Sequence, residues 1–282
     1  MKKTKVKIPA KINLTLDVLG VKDNYHEISS LVTSIALYDT IIVKKRKDNK
    51  ITLKEKGIKS GCDTQSNLAY KTAKLFMETF NVGGVDITIK KRIPVGGGLG
   101  GSSADIAGVI KCMQKLFNVN QDLISLANKL GSDCAYMLTG GLAVMLGRGD
   151  RVQTYPFNAK GEMLLLTHNE QVSAKDGYKA FDGLNSAFNP CTDLAVECLS
   201  KGDYSGFYKV IKNDLYFGVK NLLPVLSDKI QDVLSLGALV SLMTGSGSVV
   251  YGIFEDKRKR DLAYKSLKSK YGKSLIKTKI LN

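Results

Sequence analysis

The chain has 282 residues, of which 44% are hydrophobic and 24% charged, a composition typical of a globular protein with a sizeable core. No apolar run reaches the length of a membrane span, and Asn13, Thr15 and Asp17 interrupt the apolar stretch that a signal peptide needs. We therefore expect a cytoplasmic protein with no membrane partner.

The net charge is +16, from 42 basic and 26 acidic residues, so the chain attracts anions. The densest basic run is 257–260, and further lysines follow it as far as Lys279. Their spacing between Leu262, Tyr264 and Leu267 predicts a final helix with a solvated lysine face. Because no motif of a nucleic-acid-binding fold accompanies the run, we expect no nucleic-acid partner.

The chain contains five cysteines, an odd number without any C-x-x-C spacing, and only two histidines. This pattern argues against a disulfide framework and against a zinc site. We expect reduced and mostly buried thiols and no metal bound by the protein alone. The five are Cys62, Cys112, Cys134, Cys191 and Cys198.

The hydrophobic pattern predicts an α+β chain. Apolar and polar residues alternate in several runs of the first 55 residues, as they do in strands. We then predict, in chain order, a helix over 66–80 capped by Ser66 or Asn67, a strand over 85–93, helices over 103–117 and 122–130, a strand over 162–166 and, among later helices, one strand over 249–254. We place a boundary near residue 150, which gives domains of 1–150 and 151–282.

Between the strand over 85–93 and the helix over 103–117 stand five glycines in six positions, from Gly96 to Gly101. Glycine lets a backbone approach a ligand closely and adopt positive φ, so that N–H groups converge on an anion. The start of the following helix adds further N–H donors. Ser102 and Ser103 can cap this helix or turn a hydroxyl toward phosphate or metal. We interpret the segment as a phosphate-binding loop.

Three well-known glycine loops fit less well. A P-loop needs Gly-Lys-Ser/Thr, but no lysine follows Gly101. A Rossmann site needs an acidic residue at the end of a second strand, whereas Asp122 begins a run with helical spacing. A protein-kinase loop needs valine-alanine-isoleucine-lysine and histidine-arginine-aspartate segments, which the chain lacks.

The remaining match is to the GHMP kinases, whose pattern Pro-x-x-x-Gly-Leu-Gly-x-Ser-Ser resembles residues 94–103. Residues 9–14 (PAKINL) and 243–248 (MTGSGS) resemble the first and third motifs of that family, in the proper order. The resemblance implies a two-lobed GHMP kinase fold with a glycine-loop nucleotide site between the lobes, and ATP and Mg²⁺ as cofactors. It assigns ATP binding to Pro94, Val95, Gly96, Gly97, Gly98, Leu99, Gly100, Gly101, Ser102, Ser103 and Ala104, with Ser102 or Ser103 near the metal. The third glycine motif comprises Thr244, Gly245, Ser246 and Gly247.

Phosphoryl transfer to an alcohol needs a group that accepts the hydroxyl proton and charge that offsets the transferring group. From the residues alone, Asp133 is as well explained as a helix cap after Gly131, and Lys11 as an exposed strand lysine. The segments 24–28, 66–70, 131–133 and 213–215 resemble one branch of the GHMP kinases. That resemblance implies Asp133 as the base and Lys11 as its partner.

The branch phosphorylates the 2-hydroxyl of a cytidine-diphosphate ester of methylerythritol, in non-mevalonate isoprenoid precursor synthesis. The resemblance implies a small-molecule cytidyl diphosphate substrate and a binding site made by Asn13, Tyr25, His26 and Tyr178. A tyrosine face suits cytosine stacking, although the turn-rich residues 22–24 are also explained by a hairpin.

The chain departs from the branch pattern at Asn24, Ser102, Ala104 and Tyr216 and in the loop 167–170. A paralogue for a homoserine-like or mevalonate-like alcohol, and an inactive basic binding protein on the same fold, are therefore the alternatives. Either a monomer or a homodimer is compatible with the sequence.

Overall fold

The computed structural model describes residues 2–184 and 188–281. Its strands are β1 (Lys3–Asn13), β2 (Asp17–Lys22), β3 (Tyr25–Lys45), β4 (Ile51–Gly57), β5 (Val85–Lys91), β6 (Leu142–Gly147), β7 (Arg151–Thr154), β8 (Glu162–Leu166), β9 (Val240–Met243), β10 (Val250–Phe254) and β11 (Leu275–Lys279). Its helices are α1 (Leu68–Phe80), α2 (Gly101–Phe117), α3 (Ile124–Asn128), α4 (Cys134–Thr139), α5 (Ala174–Asp182), α6 (Thr192–Ser200), α7 (Tyr204–Val210), α8 (Leu215–Leu222), α9 (Val225–Ser235) and α10 (Lys257–Tyr271).

The described residues form two compact units. The first unit comprises the chain up to Ala10, Leu37–Val95 and Gly100–Gly140. The second unit comprises Lys11–Ala36, Gly96–Leu99 and the described residues from Gly141 onward. The chain therefore passes between the units several times. The predicted boundary near residue 150 stays a prediction.

In the first unit, β5 pairs in parallel with β4 and antiparallel with the second half of β3. Helix α1 packs against β4 and α2, helix α4 packs against α2, and the core contains buried side chains such as Val43, Ile87 and Ile110. Gly108 of α2 allows close packing, because a Cβ at that position would lie 2.5 Å from the Ile41 side chain. These contacts fix the start of α2 near the end of β5.

Helix α1 confirms one of the two predicted caps. Asn67 is the N-cap residue, and its Oδ1 accepts a hydrogen bond from the Ala69 N–H at 2.9 Å. An asparagine cap satisfies an N–H group that has no partner within the helix. The helix buries Ala69, Ala73 and Phe76, which follow the i, i+4, i+7 spacing of an amphipathic helix.

The second unit contains a β2–β3–β6–β7 antiparallel arrangement and a separate antiparallel sheet with the order β11–β8–β10–β9. In the separate sheet, Val250 of β10 faces Leu166 of β8 and Met243 of β9. Its strands pack against α9 and α10 through a buried core that includes Phe254 and Leu267.

Three sequence predictions differ from the structure. The single late strand is accompanied by β9 and β11, which the sequence analysis missed. The final helix ends at Tyr271, because Gly272 breaks it at a φ of 52°, so that Lys277 and Lys279 lie on β11 instead. The helix predicted over 122–130 is limited to Ile124–Asn128. None of the described helices is both long and apolar enough to cross a membrane.

Candidate active site

The glycine run lies between β5 and α2, as the sequence predicts. Its backbone adopts positive φ at Gly96 (68°), Gly98 (77°) and Gly100 (70°), a region that side-chain-bearing residues rarely enter. Gly100 is the N-cap of α2 and offers no side-chain cap. The serine-cap interpretation is therefore wrong, because Ser102 and Ser103 lie inside the first turn of α2. The first N–H groups of a helix have no partner within the helix, which is what an anion-binding site requires.

Residues Gly96–Leu99 of the glycine run belong to the second unit and pack tightly against other residues of that unit. A Cβ at Gly98 would lie 2.0 Å from the carbonyl oxygen of Thr244, and a Cβ at Gly97 would lie 2.5 Å from Val249. Thr244 also donates from Oγ1 to the Gly98 carbonyl oxygen at 3.3 Å. The glycine loop and the third glycine motif are therefore in direct backbone contact, which only glycine permits at position 98.

Replacing Gly98 by Ala should weaken ATP binding without unfolding the chain. The Cβ must displace the Thr244 carbonyl or the loop, and an L-residue at positive φ costs about 1–2 kcal/mol, which corresponds to about a 5- to 30-fold rise in the ATP Kd. Calorimetric titration with ATP, together with thermal unfolding, measures both effects.

Gly202→Ala is the matched control for Gly98→Ala. Gly202 has a similar φ of 72°, but a Cβ there would meet nothing within 4 Å. It therefore carries the same backbone strain without the clash and should leave ATP affinity unaltered. A folded Gly98→Ala variant with wild-type ATP affinity would place the nucleotide site elsewhere.

Lys11 lies at the end of β1 in a buried hydrogen-bond network of the second unit. Its side chain, in a residue 4% exposed, donates from Nζ to Asn13 Oδ1 at 2.7 Å. The Asn13 N–H donates to Thr244 Oγ1 at 3.0 Å, and the Tyr251 hydroxyl donates to the Asn13 carbonyl at 3.0 Å. The exposed-lysine alternative is therefore wrong, since Lys11 is buried beside the third glycine motif.

Asn213 is a positioning residue to which the sequence analysis assigned no role. Its buried amide Nδ2 donates to the Met243 carbonyl at 2.9 Å and to the Gly245 carbonyl at 2.8 Å. Its Oδ1 accepts from the Leu215 N–H at 3.0 Å. The amide thereby holds both ends of the turn that carries Thr244. Its segment, 213–215, was visible in the sequence only as part of a resemblance.

Asp133 lies in the first unit, immediately before α4. It occupies the N-cap position of α4, yet within the described residues its side chain makes no capping hydrogen bond to that helix. The capping explanation of Asp133 is therefore not supported. Because Lys11 belongs to the second unit, the pairing of Asp133 with Lys11 stays a prediction.

A buried charge cluster beside α2 was not predicted from the sequence. Lys91 Nζ donates to Asp39 Oδ2 at 2.8 Å, to Asp105 Oδ2 at 2.5 Å and to the Gly101 carbonyl at 3.3 Å. Burial raises the pKa of Asp105 to about 7, although the Lys91 ammonium opposes the rise. Burial opposes the charge of Lys91, but the two carboxylates outweigh it and raise the Lys91 pKa. The cluster ties the first turn of α2 to β5.

A cavity of about 110 Å³ opens beside this cluster in the first unit. Asp105 is among its lining residues, and its Oδ1 is buried and has no hydrogen-bond partner among the described residues. Unpartnered buried polar atoms are rare in proteins. The cavity is lined by Ser60, Cys62, Ser66, Asn67, Leu68, Ala69, Lys91, Val95, Ser102 and Asp105.

The predicted substrate residues Tyr25 and His26 begin β3, where successive side chains point to opposite faces. His26 stacks on Tyr178 with ring centroids 4.4 Å apart, and its Nε2 lies 2.8 Å from Asp182 Oδ1. Tyr25 is 51% exposed, and the guanidinium of Arg148 lies 3.9 Å from its ring centroid. The structure thus brings His26 and Tyr178 together and adds Arg148 beside Tyr25.

Comparison with known proteins decides the family. The models of the GHMP kinases N terminal domain and of the GHMP kinases C terminal domain match residues 67–146 and 195–273. A 4-diphosphocytidyl-2-C-methyl-D-erythritol kinase of Clostridium botulinum (strain Alaska E43 / Type E3) is 37% identical over 278 residues, covering 94% of this chain and 96% of the relative. The chain belongs to the GHMP kinases, in the family of the 4-diphosphocytidyl-2-C-methyl-D-erythritol kinases.

Other relatives of this kinase agree. The protein of the same name from Acetivibrio thermocellus is 35% identical over 280 residues, covering 95% of this chain and 96% of the relative. A crystal structure of 4-(cytidine 5'-diphospho)-2C-methyl-D-erythritol kinase matches with a TM-score of 0.84 at 28% identity, covering 99% of this chain and 100% of that chain. A homoserine kinase from Cytophaga hutchinsonii matches with a TM-score of 0.75 at 17% identity, which shows a shared fold.

These findings confirm the predicted family and the α+β fold class of the kinase, and they support ATP as its phosphoryl donor. The assignment of individual site residues stays a prediction. Among the described residues, no group of three or more His, Cys, Asp or Glu side chains could hold a metal ion.

Proposed function

We propose that this kinase transfers the γ-phosphoryl group of ATP to the 2-hydroxyl of 4-diphosphocytidyl-2-C-methyl-D-erythritol. The observation that carries the proposal is the near-full-length similarity, at 37% identity, to relatives that bear the name of this kinase. The buried Lys11–Asn13–Thr244 network supports it, because the residues of the first and third family motifs are joined by hydrogen bonds.

The proposed mechanism gives each group one task. Asp133 accepts the proton of the 2-hydroxyl as that oxygen attacks phosphorus. Lys11, held by Asn13 Oδ1, contributes positive charge that offsets the transferring phosphoryl group. The glycine loop and the start of α2 supply N–H donors to the phosphates.

Magnesium would enter with the nucleotide. The hydroxyl oxygens of Ser102 and Ser103 are hard donors of the kind that Mg²⁺ accepts, and Ser102 has an exposed side chain on the cavity of the first unit. These residues fit a site for nucleotide-bound Mg²⁺, which would neutralise charge on the phosphates when bound.

The cavity beside α2 is the proposed site of the nucleotide base. It lies between residues that flank the glycine run, since Val95 precedes the run and Ser102 follows it. The hydroxyl of Ser66 and the amide of Asn67, two polar residues that line it, would offer hydrogen bonds to the base edge. Leu68 and Val95 give the cavity the apolar surface that a purine ring needs.

The cytosine site is proposed at Tyr25 and Tyr178. Both rings offer a π-face of the kind on which bases stack, and the side chain of His26 next to Tyr178 offers ring nitrogens to a base edge. In the structure one face of Tyr178 is covered by His26 and one face of Tyr25 by Arg148. The base must therefore use the opposite faces or displace these partners.

Replacing Tyr25 or Tyr178 by Ala should raise the KM for the cytidyl substrate by about 5- to 150-fold, because stacking is worth about 1–3 kcal/mol per base. The KM for ATP should change little. Phe at either position keeps the π-face and serves as the matched control. If both Ala variants keep the wild-type KM for the cytidyl substrate, cytosine does not bind at these rings.

The proposed function is tested by a coupled assay of ADP release on a panel of alcohols. The panel contains the cytidyl substrate, its uridyl analogue, homoserine and mevalonate. We expect the highest kcat/KM with the cytidyl compound. The value should be lower with the uridyl analogue, because the base edge of uracil has an acceptor where that of cytosine has a donor. Higher turnover of homoserine or mevalonate would contradict the proposed substrate, and no turnover of any alcohol would favour an inactive binding protein.

A further inference from the structure

Residues 167–173, the segment between β8 and α5, contact the glycine run within the second unit. A Cβ at Gly96 would lie 2.8 Å from Gln171 Cγ and closer still to the Gln171 carboxamide. The Gln171 side chain therefore fills the space that a larger residue at position 96 would need. Gly96 has a positive φ of 68°, and glycine exchanges readily between positive and negative φ unless its surroundings hold it.

The two glycines that follow Gly96 are supported from another part of the chain. The Val249 side chain lies against Gly97, and the Thr244 carbonyl lies against Gly98. Both of these neighbours belong to the turn of the third glycine motif or follow it directly. Three consecutive glycines are thus supported by two separate segments, and the mechanism proposed above uses only the turn around Thr244.

The first residue of the segment 167–173 is fixed by hydrogen bonds. The Thr167 N–H donates to the Ser274 carbonyl at 2.9 Å, and Lys229 Nζ donates to the Thr167 carbonyl at 2.8 Å. Lys229 is only 2% exposed, and burial lowers its pKa to about 8. Burying an ammonium group is costly, and here the buried ammonium holds the backbone where the segment leaves β8.

Two serines hold the residues on either side of Gln171. Ser248 Oγ donates to the Glu170 carbonyl at 2.6 Å, and Ser246 Oγ donates to the Val172 carbonyl at 3.4 Å. Gln171 itself is an exposed residue. Its position is therefore set by hydrogen bonds to the backbone before and after it, and burial contributes little.

We propose that Gln171 is a positioning residue for ATP binding, which keeps Gly96 in the backbone conformation that the phosphate-binding loop requires. The inference rests on the proposed function in one respect, namely that the glycine run binds the phosphates of ATP. Gln171 acts through Gly96. When a loop holds its binding conformation for only a fraction of the time, the apparent Kd rises in inverse proportion to that fraction.

Gln171→Ala removes the part of the side chain that lies against Gly96. We expect the ATP Kd measured by calorimetry to rise by about 3- to 10-fold, because a glycine without this support populates several backbone conformations. The kcat at saturating ATP should stay within about 2-fold of wild type, since the bound loop is the same in both proteins. Thermal unfolding should change little, because Gln171 is exposed.

Two further substitutions of Gln171 separate its shape from its chemistry. Gln171→Met keeps the length of the side chain without the carboxamide and should restore the ATP affinity that Gln171→Ala loses. Gln171→Glu keeps the shape and adds a negative charge beside Gly96. It should raise the ATP Kd by about 5- to 30-fold at low salt, and by less at high salt because ions screen exposed charges.

Asn169→Ala is the matched control, since Asn169 is an exposed residue of the same segment. It should bind ATP with the wild-type Kd. The proposal is overturned if Gln171→Ala keeps the wild-type ATP Kd, if its effect is confined to kcat, or if Gln171→Met binds ATP as weakly as Gln171→Ala.

A failure of the proposed function gives a different pattern. If the nucleotide site lies elsewhere, Gly98→Ala, measured in the same series, keeps the wild-type ATP affinity as well. If only the alcohol is another compound, the ATP Kd values change as expected while the cytidyl substrate is not phosphorylated, and the role of Gln171 stands.

Discussion

Replacing Asp133 by Asn should lower kcat by about 10²- to 10⁴-fold, the usual contribution of a positioned general base. Asparagine has nearly the same shape as aspartate but cannot accept the hydroxyl proton. The ATP Kd should remain near the wild-type value, because the glycine loop and the cavity of the first unit keep their residues. The coupled assay at saturating ATP and cytidyl substrate measures kcat, and calorimetry measures ATP binding.

Asp122→Asn is the control for this change. It removes the same charge from the same unit and keeps an oxygen that can accept the Ile124 N–H, which the Asp122 Oδ1 accepts at 3.0 Å. This variant should turn over at the wild-type rate. A kcat within a few-fold of wild type for Asp133→Asn would remove Asp133 from the mechanism.

Replacing Lys11 by Met should lower kcat by about 10²- to 10⁴-fold. Methionine approximates the length of the lysine side chain in its buried site but removes the charge and the hydrogen bond of 2.7 Å to Asn13 Oδ1. The loss should appear mainly in kcat, because the proposed charge acts on the transferring phosphoryl group more than on the bound substrate. Steady-state kinetics with both substrates separate kcat from KM.

Lys7→Met removes an exposed charge from the same strand and should leave kcat unaltered. Thermal unfolding of Lys11→Met shows whether the buried network tolerates the change. A folded Lys11→Met variant with wild-type kcat and a wild-type pH–rate profile would show that Lys11 neither orients the base Asp133 nor supplies catalytic charge.

The sequence by itself predicted those features that depend on neighbouring residues. The strand–glycine–helix order around Gly98 follows from a run of glycines between an alternating segment and a segment with helical spacing. The Asn67 cap is equally local, because the capping bond spans two residues. Local patterns predict the ends of an element less well than its presence. The predicted serine cap of α2 was wrong, because Gly100 is the N-cap and the helix has begun before Ser102.

Only the tertiary structure decided which distant groups meet. The Asn13 N–H and Thr244 Oγ1 are 231 residues apart in the chain, and Lys91 and Asp39 are 52 apart. Strand β11 joined a sheet although its lysine-rich sequence resembles the preceding helix, since pairing with β8 satisfies its backbone. Periodicity in the sequence gives no sign of three groups: the buried Lys11, the Asn213 amide that holds a distant turn, and the unpartnered Oδ1 of Asp105. Their roles depend on burial and on long-range hydrogen bonds, which exist only once the chain has folded.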